Sequence, residues 1–374
     1  MPTTEDHVSA ELSRDVQSGQ WQHDTSDPMK IYEAQQPPLY YWLMAPLPVK
    51  SARGLRFVAI LLASAVIPLC YLAGRRMFPR PVALALCALL TSMPGLMIDI
   101  ARVGNESLAM VLAAWIVLLL LRDERWWLGL AMGLALVTKA YFLALIPLLV
   151  WRKKFAALGI AIAISGWWYV RTFLRTGTWS GEMLDRASTG LGWMAKLKTA
   201  MHMPWIRVID SGAWTHLWAG GWSFFTVKSW MYHTLEFFGL IVLFGVLRAA
   251  RKQKEVRMLL AAEILFAMGI AYQTVSIFMM KDTLMAPGWY FYALIAAEVL
   301  LIGAGLVNLA GRRVNWAIAF AALLFVALDF YSVHAVLARK YSAQLNSPLW
   351  ILYLVATISL PFLAAFLDRV REPV

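Results

Sequence analysis

The sequence predicts an all-α protein, a bundle of helices that crosses a membrane several times. Hydrophobic residues make up 60% of the 374-residue chain and charged residues only 15%, whereas an average soluble domain is roughly half apolar and about a quarter charged. The mean hydropathy is +0.62. Apolar stretches recur along most of the chain, and many approach the ~20 residues that a helix needs to cross a bilayer core. These observations favour a polytopic membrane protein over a soluble one.

Eleven apolar segments follow one another along the chain, and each is predicted to be a helix. They lie at 55–74, 82–98, 107–121, 126–138, 141–151, 155–171, 235–249, 258–279, 289–309, 314–336 and 348–367. Two of them, 126–138 and 141–151, are shorter than the ~20 residues of a single span. We expect these two to form either short buried helices or one broken hairpin around Thr138 and Lys139.

The distribution of basic residues orients the chain in the membrane. The formal net charge is +12, and most of the excess Lys and Arg lies in alternate loops, at 75–80, 122–125, 152–154, 248–257 and 312–313. Loops rich in Lys and Arg face the cytoplasm. We therefore expect a protein of the inner (plasma) membrane with its C-terminus inside the cell. The same distribution accounts for the positive charge without nucleic acid as a partner.

The predicted organisation has four parts. Residues 1–54 form an external loop that carries an acidic motif and a Gln-Pro-Pro motif, and residues 55–171 and 235–374 form transmembrane helices. Between them, 172–234 is an external Trp-rich segment whose amphipathic helices lie on the membrane surface. The first 30 residues contain no apolar signal segment. An external N-terminus therefore leads us to expect that a further span precedes the first residue.

The two cysteines do not indicate metal or redox chemistry. Cys70 and Cys87 both lie within apolar stretches, where reduced thiols that pack in the core are the ordinary interpretation. The sequence contains no zinc-type spacing of Cys and His. We therefore expect neither a metal nor an organic cofactor.

Four polar motifs fall on the predicted external face. They are Glu5-Asp6-His7, the run from Glu33 to Tyr41, the run from Arg102 to Glu106, and Thr138-Lys139. A charged side chain at the centre of a span costs roughly 2.5–3.5 kcal/mol, so charges close to the membrane tend to be paired or functional. Their convergence on one face predicts a site there.

The first two motifs each have a chemical and a structural interpretation. Glu5 and Asp6 suit a general base that takes a proton from an acceptor hydroxyl or amine, or they are solvated residues of a frayed terminus. Glu33, with Gln36 and Tyr40, suits the binding of a polar head group by hydrogen bonds. The alternative for these three is the start of a helix with an interfacial aromatic belt, and the two interpretations are compatible.

The other two motifs contribute cations. Arg102 and Lys139 stand beside short turns, and a phosphate is a natural partner because Arg offers a bidentate fork and Lys a point charge. The alternative for Arg102 is an ion pair with Asp99 or Glu106. Lys139 has no carboxylate close in sequence, so its alternative is extension of the ammonium toward the membrane interface.

The order and spacing of these motifs resemble the GT-C superfamily of integral-membrane glycosyltransferases, within it the branch of the protein O-mannosyltransferases and the aminoarabinose transferase of lipid A. Members have an acidic motif in the first external loop, a His/Gln-Pro-Pro-Leu-Tyr-Tyr run, an Arg-x-x-Asn/Asp motif and a Leu-Thr-Lys-like turn. The similar segments here are Glu5-Asp6-His7, Gln36-Pro37-Pro38-Leu39-Tyr40-Tyr41, Arg102 to Asn105, and Val137-Thr138-Lys139.

The resemblance implies a mechanism and a set of roles. The donor is a sugar on a polyprenyl phosphate, held in a cavity open to the bilayer. Asp6 or Glu5 would activate the acceptor for an inverting, in-line attack, while Arg102 and Lys139 would stabilise the departing lipid phosphate. The remaining predicted substrate-binding residues are Glu33, Gln36, Tyr40 and Asn105.

We therefore predict a hexosyl- or pentosyltransferase that acts on a glycan, lipid or protein acceptor at the external face. A transporter or flippase for a lipid-linked sugar would use the same head-group contacts without a base. Transporters commonly show inverted repeats and charges in the middle of spans, and the sequence shows neither. A non-catalytic membrane scaffold is the third alternative.

Overall fold

The computed structural model describes residues 36–49, 51–180, 192–218, 226–282, 284, 286, 288–338, 351–352, 355–356 and 359–370. Within these residues the regular structure is helical and contains no β-strand. The predicted all-α fold is therefore confirmed. The helices are numbered α1 to α16 in chain order.

The first half of the described chain forms short and medium helices joined by tight turns. They are α1 (Leu39–Met44), α2 (Ala52–Ser64), α3 (Val66–Gly74), α4 (Arg80–Thr91), α5 (Pro94–Ile100), α6 (Glu106–Leu121), α7 (Trp126–Leu136), α8 (Ile146–Trp151) and α9 (Phe155–Thr176). A 3₁₀ helix, Ala140–Leu145, leads directly into α8.

The second half contains longer helices. They are α10 (Gly192–His202), α11 (Trp205–Leu217), α12 (Ser229–Ala250), α13 (Lys254–Lys281), α14 (Ile295–Ala310), α15 (Val314–Tyr331) and α16 (Leu360–Arg369). A 3₁₀ helix, Gly288–Leu294, leads into α14, and a π-helical turn, Ser332–Leu337, follows α15. Helices α10 and α11 lie within the Trp-rich segment.

Several helical stretches are long and apolar enough to cross a membrane. Those among the described residues are Arg53–Gly74, Phe155–Thr176, Ser229–Ala250, Lys254–Met280 and Gly288–Val336. The last has 49 residues, which in one straight helix would measure ~73 Å, more than twice the ~30 Å of a bilayer core. It turns at Gly311, where φ is +51°, and α14 then packs against α15. The chain is therefore a multi-pass membrane protein.

A bend of 68° separates α4 from α5. Pro94 is the first residue of α5, and its ring nitrogen cannot donate the backbone hydrogen bond that would continue α4. The hydroxyl of Ser92 closes the end of α4 by donating to the carbonyl of Leu89 at 2.7 Å. Helix α5 consequently leaves at an angle and carries Asp99 toward the turn that precedes α6.

Two glycines let α7 approach α9 closely. A Cβ atom on Gly129 would lie 2.7 Å from the Cβ atom of Ile160 and 2.8 Å from the carbonyl oxygen of Ala157, and one on Gly133 would lie 2.7 Å from the Cβ atom of Ile164. Small residues spaced four apart permit such contacts between membrane helices. This packing fixes the position of the turn that follows α7.

Successive turns of the chain lie at opposite ends of the bundle. At one end, the amide of Leu39 donates to the carbonyl of Val137 at 2.9 Å, which joins the start of α1 to the turn after α7. At the other end, the Nζ atom of Lys154 lies 2.8 Å from Oδ1 of Asp123. The hydrogen bond from this ammonium lowers the pKa of the Asp123 carboxyl below its ordinary value.

Enlarging Gly129 is expected to destabilise the bundle. The Gly129→Ile substitution forces α7 away from α9, and overpacking of this kind costs roughly 1–3 kcal/mol. The melting temperature of the detergent-solubilised protein should fall. Gly159→Ile on α9 is the matched control, because a Cβ atom there meets nothing within 4 Å. Equal melting temperatures for the two variants would contradict the close α7–α9 contact.

Candidate active site

Three sequence-distant segments meet at the end of the bundle that carries Leu39 and Val137. The side-chain Nδ2 of Asn105 donates to the carbonyl of Thr138 at 3.3 Å, and it also approaches Oε1 of Gln36 at 3.5 Å. Asn105 is only 2% exposed. It therefore ties the Gln-Pro-Pro segment, the start of α6 and the turn after α7 into one unit.

The turn after α7 points Lys139 into this unit. Helix α7 ends at Leu136, and the Thr138 hydroxyl donates back to the carbonyl of Leu134 at 2.8 Å, which closes the helix. Lys139 then adopts an extended backbone with φ −148° and ψ 133°. This conformation separates α7 from the following 3₁₀ helix.

A buried ion pair forms the centre of the site. The Nζ atom of Lys139 lies 2.7 Å from Oε1 of Glu106, and the two side chains are only 8% and 16% exposed. The hydroxyl of Tyr141 donates to the other carboxylate oxygen of Glu106 at 2.8 Å. Both oxygens of Glu106 are therefore engaged, as a buried carboxylate requires.

Aromatic rings flank the Lys139 ammonium. Its Nζ atom lies 5.7 Å from the ring centroid of Tyr141 and 5.8 Å from that of Tyr290. The two tyrosine rings are 6.0 Å apart. Distances of this order allow a cation to be attracted by the ring faces, so the ammonium is held by one carboxylate and two rings.

A second ion pair lies nearby and is partly open to solvent. Nη1 of Arg102 is 3.2 Å from Oδ1 of Asp99, with the arginine side chain 46% exposed and the aspartate 2% exposed. The other oxygen of Asp99 is buried without a hydrogen-bond partner among the described residues. The Asp99 carboxylate therefore anchors a guanidinium that is partly exposed.

A cavity of about 290 Å³ adjoins the Lys139 ion pair. Tyr141 and Tyr290, which flank the ammonium, also line this cavity, and we name it the tyrosine cavity. Its walls are mostly apolar and aromatic, with Gln273, Ser276 and Ser180 as polar groups. Such a lining suits a ligand with a large apolar portion and a few polar contacts.

Helix α11 docks against the 3₁₀ helix that carries Tyr290. The imidazole of His216 contacts the carbonyl of Gly288 at 3.1 Å and Oε1 of Glu298 at 2.9 Å. The hydroxyl of Tyr292 donates to the His216 carbonyl. A Cβ atom on Gly288 would collide with the carbonyl oxygen of Gly212, so only glycine permits this approach.

The docking contact also shifts the pKa of His216. Burial lowers the pKa of the imidazole, but the Glu298 carboxylate, its hydrogen bond and the Gly288 carbonyl raise it by more. The pKa of His216 therefore lies above its ordinary value, which favours a charged imidazolium beside the carboxylate.

The predicted site residues have different fates. Lys139, Asn105 and Gln36 come together, and Arg102 follows α5 at the same end of the bundle. Tyr40 is 4% exposed and packs in the main hydrophobic core. Glu5, Asp6 and Glu33 lie outside the described residues. Direct contact of any of these residues with a substrate stays a prediction.

The sequence did not identify Glu106 as the partner of Lys139, and it did not single out Tyr141. Glu106 was considered only as a partner for Arg102, yet it opens an apolar helix at the same end as Lys139, which is a signal for a pair of opposite charges. Tyr141 carries no comparable signal, because interfacial Tyr residues are common in membrane proteins. Among the described residues, no group of three or more His, Cys, Asp or Glu is arranged to hold a metal ion.

Comparison with known proteins identifies one family. A family model described as glycosyltransferase family 87 matches residues 36–272, which is more than half of the chain. The match includes Gln36, Asn105, Glu106 and Lys139. No curated protein and no solved structure shows a significant match to the sequence.

Removing one partner of the central ion pair should lower the stability of the fold more than removing both partners. Glu106→Gln leaves the buried Lys139 ammonium without its carboxylate, a change worth roughly 3–5 kcal/mol at buried sites. The double variant Glu106→Gln/Lys139→Met removes both charges and should recover much of that loss. Thermal unfolding of Glu106→Gln, Lys139→Met and the double variant measures the coupling energy between the two side chains. Strictly additive losses would show that the two side chains do not stabilise each other.

Proposed function

The chain belongs to glycosyltransferase family 87, a GT-C-type family of membrane glycosyltransferases, and on that basis we propose that it transfers a sugar from a polyprenyl-phosphate donor to an acceptor. The observation that carries this proposal is the position of Lys139. Its ammonium is buried, held by Glu106, and flanked by the two tyrosines that line the tyrosine cavity.

The charges around Lys139 suit the donor phosphate. The ion pair with Glu106 fixes the position of the Lys139 ammonium before an anion binds, and such preorganisation is the condition for efficient electrostatic stabilisation. Arg102 lies at the same end of the bundle, and its side chain is 46% exposed. A phosphate that leaves the sugar gains negative charge, and in this proposal the two cations neutralise that gain.

The tyrosine cavity suits the rest of the donor. Its apolar walls match the first isoprene units of the lipid, and the rings of Tyr141 and Tyr290 offer flat faces to a sugar. Gln273 and Ser276 supply hydrogen-bonding groups for hydroxyls. A donor held this way keeps its phosphate next to Lys139 while its chain extends toward the bilayer.

The proposed reaction is an inverting displacement. The acceptor hydroxyl or amine attacks the anomeric carbon, the new bond forms there, and the bond from that carbon to the phosphate oxygen breaks. Asp6 or Glu5 receives the acceptor proton. The polyprenyl phosphate departs with the additional negative charge beside Lys139 and Arg102.

Charge distribution supports an external active face in the inner membrane. The basic loops 122–125 and 152–154 adjoin each other at the end of the bundle opposite Lys139. Because basic loops remain cytoplasmic, the Lys139 end would face the outside, and the C-terminus would be cytoplasmic. The acceptor would then be an external glycan, lipid or protein.

Transfer is expected to require the acidic motif. Membranes that contain the protein are incubated with a radiolabelled polyprenyl-phosphate sugar and an extract of acceptors, and release of lipid phosphate is measured. The double variant Glu5→Ala/Asp6→Ala should lose at least about a hundredfold in rate, as expected when a general base is removed. Undiminished turnover in this variant would remove the proposed base, and no turnover by the unaltered protein would refute the proposed donor.

Donor binding is expected to depend on the two cations. Arg102→Ala and Lys139→Ala should each weaken affinity for the polyprenyl-phosphate sugar by roughly tenfold or more, since hydrogen bonds to charged groups contribute about 1.5–3 kcal/mol. Equilibrium binding of a fluorescent donor to the purified protein measures this. Arg125→Ala, at the basic end of the bundle, is the matched control. Donor affinity equal to that of the control in both variants would exclude a phosphate clamp.

A further inference from the structure

A second cavity, of about 240 Å³, lies between α12, α14 and α15. Its walls are hydrophobic side chains and one glycine, and Glu298 is the sole charged residue among the lining residues. We name it the Glu298 cavity. It is separate from the tyrosine cavity, although the two are lined by the same stretch of chain, at Glu298 and Tyr290 respectively.

Glu298 offers one free acceptor to this cavity. Its Oε1 atom is bonded by Nε2 of His216 at 2.9 Å, and the carboxylate side chain keeps 27% of its surface exposed. The second oxygen, Oε2, has no hydrogen-bond donor among the described residues. A carboxylate oxygen in apolar surroundings is costly without a donor, so the cavity favours a ligand that supplies one.

The Glu298 cavity is accessible from the lipid side of the bundle. Gly239 and Leu243 of α12 line it and are exposed on the outer surface of that helix, next to the exposed apolar residues Leu240 and Phe244. A hydrocarbon chain can therefore enter from the bilayer, where the surrounding surface is apolar.

The charge of Glu298 restricts the kind of head group that a ligand of this cavity can carry. An anionic head group is repelled by the Glu298 carboxylate. An ammonium head group is also disfavoured, because the basic imidazole of His216 already engages Oε1 of Glu298 at 2.9 Å, and a second basic group would add a charge in an apolar cavity. A neutral hydroxyl satisfies Oε2 without adding charge.

We propose that the Glu298 cavity binds a membrane lipid alcohol, whose hydrocarbon chain packs against α12 and α15 and whose hydroxyl donates to Glu298. This ligand carries no phosphate, which distinguishes it from the donor proposed for the tyrosine cavity. Its binding requires neither the donor nor glycosyl transfer.

The test uses the full chain in lipid nanodiscs with no sugar donor present. The probe is a diacylglycerol with a photoreactive diazirine in one acyl chain, and the labelled peptide is identified by mass spectrometry. We expect labelling within α12 or α15. Unlabelled diacylglycerol should compete, whereas its methyl ether, which lacks the hydroxyl proton, should compete about tenfold less well. Phosphatidic acid, which carries an anionic phosphate, should also compete poorly.

Two variants test the site directly. Gly239→Leu places a side chain where a Cβ atom meets nothing within 4 Å, so it should obstruct the opening without disturbing helix packing and should reduce labelling severalfold. Gly159→Leu, equally unobstructed on α9, is the matched control and should label normally. Glu298→Gln weakens the acceptor and should reduce the preference for diacylglycerol over its methyl ether.

Three results would overturn the proposal, and each is obtained without any measurement of transferase activity. The first is labelling confined to helices other than those that line the Glu298 cavity. The second is equal competition by diacylglycerol, its methyl ether and phosphatidic acid in the unaltered protein, which would indicate only a non-specific hydrocarbon groove. The third is equal labelling of Gly239→Leu and Gly159→Leu.

Discussion

The Glu106–Lys139 ion pair is the interaction on which the arrangement of the site depends. Each residue alone would be a buried charge in apolar surroundings, and together they satisfy each other at 2.7 Å. Tyr141 bonds the free oxygen of Glu106 and stands against the lysine, so the pair also fixes one wall of the tyrosine cavity. Close packing of α7 on α9 and the Asn105 hydrogen bonds hold the two charges in register. The candidate active site is therefore a product of helix packing more than of any one motif.

The fold class and the placement of Arg102 and Lys139 at one end of the bundle could be predicted from the sequence, because both follow from local hydropathy and charge. Apolar length predicted membrane helices, and the alternation of basic loops predicted that Arg102 and Lys139 would stand at one end of the bundle. The two short apolar segments at 126–138 and 141–151 correspond to α7 and to a 3₁₀ helix followed by α8. The break between them lies at the Thr138-Lys139 turn, where one of the two interpretations expected it.

The partner of Lys139 could not be read from the sequence. Glu106 is 33 residues earlier, and which charges meet across that distance depends on how α6 and α7 pack. The role of Tyr141 could not be read for a different reason, since a tyrosine near a membrane surface is ordinary and its role depends on the groups that face it. The docking of His216 on Gly288 depends in the same way on tertiary contacts, here between α11 and the 3₁₀ helix Gly288–Leu294.

Glu106 and Lys139 stand at the open end of the α6–α7 hairpin, one at the start of the first helix and the other just beyond the second. During membrane integration, a single helix that carried either charge would have to expose it to lipid or remain near the surface. A hairpin that enters as a unit presents a neutral pair at that end. The pairing reduces the unfavourable transfer free energy, which is roughly 2.5–3.5 kcal/mol for each unpaired charge. The contact that fixes the position of Lys139 thus also favours insertion of two short helices that would partition poorly one at a time.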